Sequence, residues 1–130
     1  MGVSPTLPAE MEQDLAKKIA ILVRQEGLGH AGPQDNAFSI DLFDRFLHAL
    51  ESRPVKPVAI CFYTDGVKLT CAGSRAVHGL QLIQGMGVRL LICRTCLEYF
   101  GLMSKVAVGE ISTMTEIVQT LTDADSVITV

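Results

Sequence analysis

Several features that mark large classes of proteins are missing from this sequence. It contains no tryptophan, and aromatic residues are only 5% of its 130 residues, which argues against a platform that stacks nucleic-acid bases. Its formal net charge of -3 lacks the basic excess of a nucleic-acid or anionic-membrane binder. Every apolar run is shorter than a membrane span, and the first residues lack the parts of a signal peptide. We therefore expect no nucleic-acid partner and no membrane association.

The residues that are present are typical of one folded domain. Apolar residues make up 48% of the chain and charged residues 19%, which is enough apolar material for a hydrophobic core. Four cysteines without a secretory signal indicate reduced thiols in a cytoplasm rather than a disulfide scaffold. We predict a cytoplasmic protein with a flexible leader at residues 1–14 and one domain at residues 15–130.

Apolar runs alternate along the chain with segments of helical periodicity. Strands are predicted at residues 19–23, 57–63, 88–92 and 126–130, with a short strand or extended piece at 105–109. Helices are predicted after residues 35–36, across residues 74–84, and from a capping box at residues 113–116. Strands that alternate with helices imply right-handed crossovers and a sheet covered on both faces. The pattern predicts an α/β fold, a three-layer α/β/α sandwich with a mainly parallel sheet of about five strands.

A cysteine motif, Cys-Arg-Thr-Cys at residues 93–96, follows the third predicted strand. The next residues can form a short helical turn that ends at Gly101. Cys93 would then lie at the carboxyl end of a strand, where α/β domains bind ligands. Amides at the helix start and the adjacent Arg94 would lower the pKa of the thiol, and the thiolate is the reactive form. Cys93 is therefore the leading nucleophile and Cys96 its partner, and a cysteine that only packs is the alternative interpretation.

Three other interpretations fit the sequence less well. Residues 27–32 match the dinucleotide fingerprint G-x-G-x-x-G, but Pro33 and the residues after it separate them from the helix that should begin there. A structural zinc site needs four ligands, and the other cysteines, Cys61 and Cys71, form no second close pair, so we expect no metal. A thioredoxin-type motif would face a later proline, whereas the last proline here is Pro57. No cofactor is expected.

The chemistry that remains is that of a nucleophilic thiol. Such a thiol can accept a sulfur atom as a persulfide, or it can form a reversible disulfide with a second nearby thiol. Asp65 follows the second predicted strand, and Gly29 and His30 lie in the glycine-rich loop after the first one. Because the carboxyl ends of parallel strands share one edge of a sheet, we expect these residues to border the same crevice as Cys93.

Two stretches of the sequence resemble those of a known family. Residues 62–67, Phe-Tyr-Thr-Asp-Gly-Val, resemble the F-Y-x-D-G-V stretch of DsrE-like sulfur-relay proteins. Residues 93–102 are similar to the C-G-T-C-L-D-F-Y-G-L signature of the DsrE-like domain in YedF-type proteins, which are sulfurtransferase-like and linked to selenium metabolism. The likeness continues in the same order over residues 17–130. By this resemblance, Cys93 matches the sulfur-carrying cysteine, and Cys96 matches the second cysteine of the YedF-type signature.

The resemblance implies a DsrE-like fold, assembly as a homo-oligomer and transfer of sulfur between proteins. Our main hypothesis is a cytoplasmic sulfur-relay protein, sulfurtransferase-like in its chemistry. In it, Cys93 accepts sulfane sulfur from a donor protein and passes it to an acceptor protein. Arg94 and local amides would favour the thiolate, and Cys96 would resolve or assist. The alternative is an oligomeric, redox-responsive binding or regulatory module without transferase activity.

Overall fold

The computed structural model describes residues 16–32 and 36–130, so the predicted leader at residues 1–14 lies outside the described residues. The strands in this part of the chain are β1 (Ile19–Val23), β2 (Ala59–Phe62), β3 (Arg89–Cys93), β4 (Glu110–Ser112) and β5 (Ser126–Thr129). The α-helices are α1 (Ala37–Glu51), α2 (Val77–Gly85), α3 (Arg94–Phe100) and α4 (Met114–Asp123), and a 3-10 helix covers Thr64–Thr70. None of these helices is long and apolar enough to cross a membrane.

The five strands form one sheet in the order β4-β3-β2-β1-β5, and every neighbouring pair is parallel. Successive side chains of a strand point to opposite faces. Ile21 of β1 pairs in register with Ile60 and shares an apolar groove with Phe46 of α1. The next residue of β2, Cys61, faces the other side and interacts with Glu116 of α4. Helices therefore cover both faces, and the predicted α/β fold with a parallel sheet is confirmed.

Apolar side chains from the central strands and the helices form the core. All of β2 and the last four residues of β3 are buried, as expected for parallel strands with helices on both faces. Phe43 and Leu47, four residues apart on α1, are fully buried, and so are Leu80 and Ile83 on α2. Each such side chain contributes roughly 1.5–3 kcal/mol when it leaves water. This core gives the carboxyl ends of the strands a rigid support.

The fourth strand lies later in the chain than predicted. The apolar run at residues 105–109 forms only an isolated antiparallel bridge, between Cys71 and Val106. β4 is instead the edge strand that begins directly after Gly109, whose φ is +89°. A Cβ at Gly109 would lie 3.0 Å from the Leu90 Cβ of β3. This close approach to the neighbouring strand, rather than an apolar run, sets where the pairing begins.

Helix α4 starts at the predicted capping residue. The Thr113 side-chain oxygen accepts a hydrogen bond from the Glu116 backbone N–H at 3.2 Å, which satisfies one of the free amides at the helix start. The Glu116 carboxylate does not complete the capping box, because it accepts from the Ser112 hydroxyl at 2.7 Å and faces Arg89 Nη2 at 3.4 Å. These bonds tie α4 to β3 and β4 at one edge of the sheet.

Candidate functional site

The cysteine motif lies at the carboxyl end of β3. Cys93 is the last residue of the strand and is 1% exposed. Cys96 lies one turn further, inside the short helix α3, and is partly exposed. Both are free thiols. The two cysteines are thus at the expected edge of the sheet, but they differ in their access to solvent.

One backbone group donates a hydrogen bond to the sulfur of Cys96. It is the N–H of Thr64, which follows β2, at 3.1 Å. Cys93 is the N-cap residue of α3, and Cys96 is the third residue of that helix. Burial first, and then the Cys93 thiol, raise the pKa of the Cys96 thiol, and the Thr64 amide acts in the opposite direction without reversing the shift. Cys96 is therefore mainly a neutral thiol at pH 7, with a hydrogen-bond donor already in place for its charged form.

The Thr64 amide is held by an unusual backbone conformation. Thr64 has a φ of 50°, in the left-handed region that β-branched residues rarely adopt. Such a conformation costs on the order of 1–3 kcal/mol and persists only where the surroundings fix it. The Thr64 hydroxyl donates towards the carbonyl oxygens of Arg24 and Tyr63, both at 2.7 Å. The sequence predicted only a turn here, because no local pattern encodes a contact with a thiol 32 positions away.

Cys96 opens on a cavity of about 400 Å³, here called the thiol cavity. The cavity is lined by Thr64, Asp65, Thr95, Cys96, Tyr99 and Phe100. Tyr99 is 83% exposed, and its ring packs edge-on against Phe100 with the centroids 5.1 Å apart. Cys93 is not one of the lining residues. The thiol cavity therefore presents a single thiol, that of Cys96, to an incoming group.

Asp65 joins the thiol cavity to a second cavity. This loop cavity has a volume of about 520 Å³ and is lined by Gln25, Glu26, Gly29, His30, Asn36, Asp65 and Lys68. The Asp65 carboxylate pairs with Lys68 Nζ at 2.8 Å, and the same ammonium lies 4.4 Å from the centre of the Phe100 ring. The structure thus brings three of the predicted residues, Asp65, Gly29 and His30, to one cavity that adjoins the cysteine site.

Arg94 lies next to Cys93 in the chain, but its charge is directed along α3. Its Nε lies 3.3 Å from Glu98 Oε1, and both side chains are 59% exposed. An exposed pair of this kind contributes little to stability. The proposed effect of Arg94 on the thiolate stays a prediction. The donor that does contact the cysteine pair is the Thr64 amide.

The glycine-rich loop uses backbone amides for contacts within the chain. The Gly27 N–H donates to the Gln25 carbonyl at 2.8 Å, and the Leu28 N–H donates to the Ser39 carbonyl at 2.9 Å. These two amides are not free to bind a pyrophosphate, as the amides of a dinucleotide loop must be. Within the described part of the chain, no three His, Cys, Asp or Glu side chains are grouped as metal ligands.

Comparison with known sequences agrees with the fold. The sequence profile of the DsrE/DsrF-like family matches residues 17–130. The chain belongs to the DsrE/DsrF-like family. This confirms the resemblance based on the motifs at residues 62–67 and 93–102, and it is consistent with sulfur relay at the level of the family. The narrower resemblance to YedF-type proteins stays a prediction. No curated protein matches the sequence.

Solved structures share the fold of this DsrE/DsrF-like protein at low sequence identity. The E. coli protein YchN is 19% identical with a TM-score of 0.61, over 88% of this chain and 100% of its own. MTH1491 from Methanobacterium thermoautotrophicum, a protein of unknown function, is 16% identical with a TM-score of 0.63, over 88% and 100% of the two chains. BT1422 from Bacteroides thetaiotaomicron, also of unknown function, is 17% identical with a TM-score of 0.61, over 88% and 95%. At these identities the likeness establishes the fold alone.

Proposed function

We propose that this protein is a cytoplasmic sulfur-relay protein, which carries sulfane sulfur as a persulfide on its cysteine pair between a donor and an acceptor protein. The observation that carries the proposal is the placement of Cys93 and Cys96. They are free thiols about one helical turn apart at the end of β3, and one of them opens on the thiol cavity. Membership of the DsrE/DsrF-like family supports the same chemistry, and a reducing cytoplasm keeps such thiols ready to react.

Loading and transfer are both thiol exchange reactions. In loading, a thiolate of the pair attacks the outer sulfur of a donor persulfide, R–S–SH. A new S–S bond forms on the protein while the donor's S–S bond breaks, and the donor leaves as a thiolate. In transfer, an acceptor thiolate attacks the outer sulfur in the same way, and the thiolate of this protein leaves. Each S–S bond that breaks is replaced by another, so neither step needs an external oxidant.

The surroundings of Cys96 suit a sulfur that alternates between neutral and charged forms. The transfer step returns a thiolate, and the Thr64 N–H at 3.1 Å is in place to donate to it. Hydrogen bonds to charged acceptors are roughly twice as strong as neutral ones. The same donor therefore contributes more when the sulfur is charged, which favours release of the cargo.

Intact-mass analysis after exposure to inorganic polysulfide tests the proposal. We expect the reduced wild-type chain to gain the mass of added sulfur, lose it to a reductant, and pass it to an acceptor thiol. The control is the double variant Cys93→Ser, Cys96→Ser, which retains Cys61 and Cys71 and should gain no sulfur. Equal loading of the double variant, or no loading of the wild type, would contradict a relay at this motif.

A redox-responsive binding module is the second candidate function. The C-x-x-C spacing of Cys93 and Cys96 at the start of α3 favours it, because two thiols at this spacing can lose two electrons and two protons to an oxidant such as peroxide and form a disulfide. This candidate predicts that mild peroxide forms the bond and changes assembly or partner binding, while polysulfide leaves no transferable sulfur. Non-reducing mass spectrometry combined with light scattering distinguishes it from sulfur relay.

We also propose that the chain assembles as a homo-oligomer. Exposed apolar side chains on both edge strands and on α4 support this, namely Ile111, Met114, Val118, Val127 and Ile128, each 41–48% exposed. A charge at the centre of such an interface opposes burial. We expect Val118→Glu to lower the oligomer mass measured by light scattering, whereas Gln119→Glu, on an exposed neighbour, should not. An unchanged mass for Val118→Glu would exclude the exposed face of α4 from the interface.

A further inference from the structure

We propose that Cys96, rather than Cys93, receives the sulfur, and that Cys93 is the internal thiol that discharges it as hydrosulfide when no acceptor protein takes it. This assignment rests on the proposed sulfur-relay function, and it reverses the roles that the sequence predicted for the two cysteines. Three observations carry it: the access to each sulfur, the hydrogen bond from Thr64, and the spacing of the two thiols at the start of α3.

The two cysteines differ first in how accessible their sulfur atoms are to a donor molecule. In thiol exchange the attacking sulfur must reach the S–S bond of the donor. Cys93 is 1% exposed, its neighbour Ile92 is 0% exposed, and Ser112, its partner in register on β4, is 5% exposed. A donor protein therefore has no route to the Cys93 sulfur while the sheet is intact. Cys96, in contrast, is partly exposed and lines the thiol cavity of about 400 Å³.

The Thr64 hydrogen bond separates the two cysteines in a second way. Its N–H donates to the sulfur of Cys96 at 3.1 Å, and an amide in that place stabilises a thiolate or a terminal persulfide anion. The amide reaches this place because Thr64 adopts a left-handed φ of 50°, with its hydroxyl fixed on the Arg24 carbonyl. Strained residues held in this way are concentrated at functional sites, and this one points its donor at Cys96.

The spacing of the two thiols gives Cys93 its role. Cys93 is the N-cap residue of α3 and Cys96 is the third residue of that helix, so the pair has the C-x-x-C spacing at which the Cys93 sulfur can reach the inner sulfur of a persulfide on Cys96. Attack there forms a disulfide and expels hydrosulfide: Cys96–S–S⁻ and Cys93–SH give Cys96–S–S–Cys93 and HS⁻. The proton of Cys93 leaves with the hydrosulfide. A dithiol reductant then supplies two electrons and two protons, which returns both thiols to the reduced state.

Single-cysteine variants of the whole chain test this assignment with inorganic polysulfide as the sulfur source. We expect Cys93→Ala still to load sulfur on Cys96, and to release hydrosulfide roughly tenfold more slowly than the wild type or not at all. We expect Cys96→Ser to load roughly tenfold more slowly or not at all, because its three remaining thiols, those of Cys61, Cys71 and Cys93, are buried. Loading of Cys96→Ser at the wild-type rate, with the sulfur on Cys93, would overturn the assignment and leave sulfur relay standing. Hydrosulfide release from Cys93→Ala at the wild-type rate would overturn the discharge step.

Peptide mapping of the wild-type chain, quenched at short times, gives the same answer without depending on the fold of a variant. The first sulfur should appear on the peptide that holds Cys96, and the Cys93–Cys96 disulfide should appear together with free hydrosulfide. A first adduct on Cys93 would overturn the assignment. A wild-type chain that takes up no sulfur at all would instead contradict the proposed function.

Discussion

Cys61 in the middle of β2 and Cys96 in the helix that follows β3 differ in burial and in hydrogen bonding. Cys61, in the middle of β2, is 0% exposed, and burial raises its pKa to about 11, with a smaller opposing effect of Arg89. Cys96, beyond the end of β3, opens on the thiol cavity and receives the Thr64 amide. The cysteine side chain only packs in the core at position 61, whereas at position 96 its thiol is accessible to a reactant. Access to the sulfur atom, rather than residue type, decides which thiol can react.

The largest expected effect is in the rates of alkylation. At pH 8 in native buffer, we expect iodoacetamide to modify Cys96 on the order of a hundredfold faster than Cys61, because only Cys96 is accessible and Cys61 is held protonated. Peptide mapping over time measures both rates in one sample. In denaturant the cysteines should react at similar rates, which is the control. If iodoacetamide modified Cys61 in native buffer as fast as it modified Cys96, the difference in access between the two thiols would be contradicted.

Gly66 lies in the 3-10 helix that begins at Thr64, and its substitution tests how this segment is held next to Cys96. Its backbone lies against the carbonyl of Val23, so a Cβ there would overlap with the end of β1. We expect Gly66→Ala to lower the free energy of unfolding by roughly 2–3 kcal/mol. Because Thr64 starts the same 3-10 helix, the variant should also change the alkylation rate of Cys96 and leave Cys61 protected.

Gly85 provides the matched control for this substitution. It ends α2, and a Cβ there would meet open space. We expect Gly85→Ala to be neutral or to raise the free energy of unfolding by up to about 1 kcal/mol. Urea denaturation measures both variants, and equal stability of Gly66→Ala and Gly85→Ala would show that the approach to Val23 is not close.

The buried thiol predicts a pH dependence of stability. Below pH 9, the ordinary pKa of a cysteine, the Cys61 thiol is protonated in both the folded and the unfolded chain. Between pH 9 and about 11, the unfolded chain loses this proton while the folded chain keeps it, so stability is lost as pH rises. The two pKa units correspond to roughly 2–3 kcal/mol at full effect. Urea denaturation at several pH values should therefore show a steeper loss for the wild type than for Cys61→Ala. Parallel curves would mean that Cys61 does not carry this effect.

Substitutions of Thr64 have the smallest expected effect on the free energy of unfolding. They test whether the backbone that directs the Thr64 amide towards Cys96 is strained. Thr64→Ala removes the hydroxyl but keeps a Cβ at a φ of 50°, and we expect it to lower the free energy of unfolding by about 1 kcal/mol. Thr64→Gly removes the same hydroxyl but relieves the left-handed conformation, so it should be more stable than Thr64→Ala by up to about 1 kcal/mol. Thermal or urea unfolding measures the order. Greater stability of Thr64→Ala would show that the backbone there is not strained.

Features that depend on residues close together in the sequence were predicted correctly. Features that depend on contacts between distant residues were not. β1 was predicted with its observed bounds, because an apolar run between charged residues encodes a buried strand locally. β4 was predicted too early in the chain, as a short strand or extended piece at residues 105–109, because its start depends on the approach of Gly109 to Leu90 on another strand. The position of Cys93 at a strand end was predictable from the run before it. The contact of the Thr64 amide with Cys96 was not predictable, since the two residues follow two different strands.

The hydrogen bond from Thr64 to Cys96 has a consequence for the folding of the chain. Thr64 follows β2 and is fixed on Arg24, which follows β1, while Cys96 follows β3. The arrangement thus exists only after β1, β2 and β3 have paired, and in an unfolded chain both thiols are ordinary. Central strands are the last part of a sheet to open during amide hydrogen exchange. A new chain therefore completes the proposed sulfur site late, together with the most protected part of the sheet, and we expect fraying of β5 to leave that site intact.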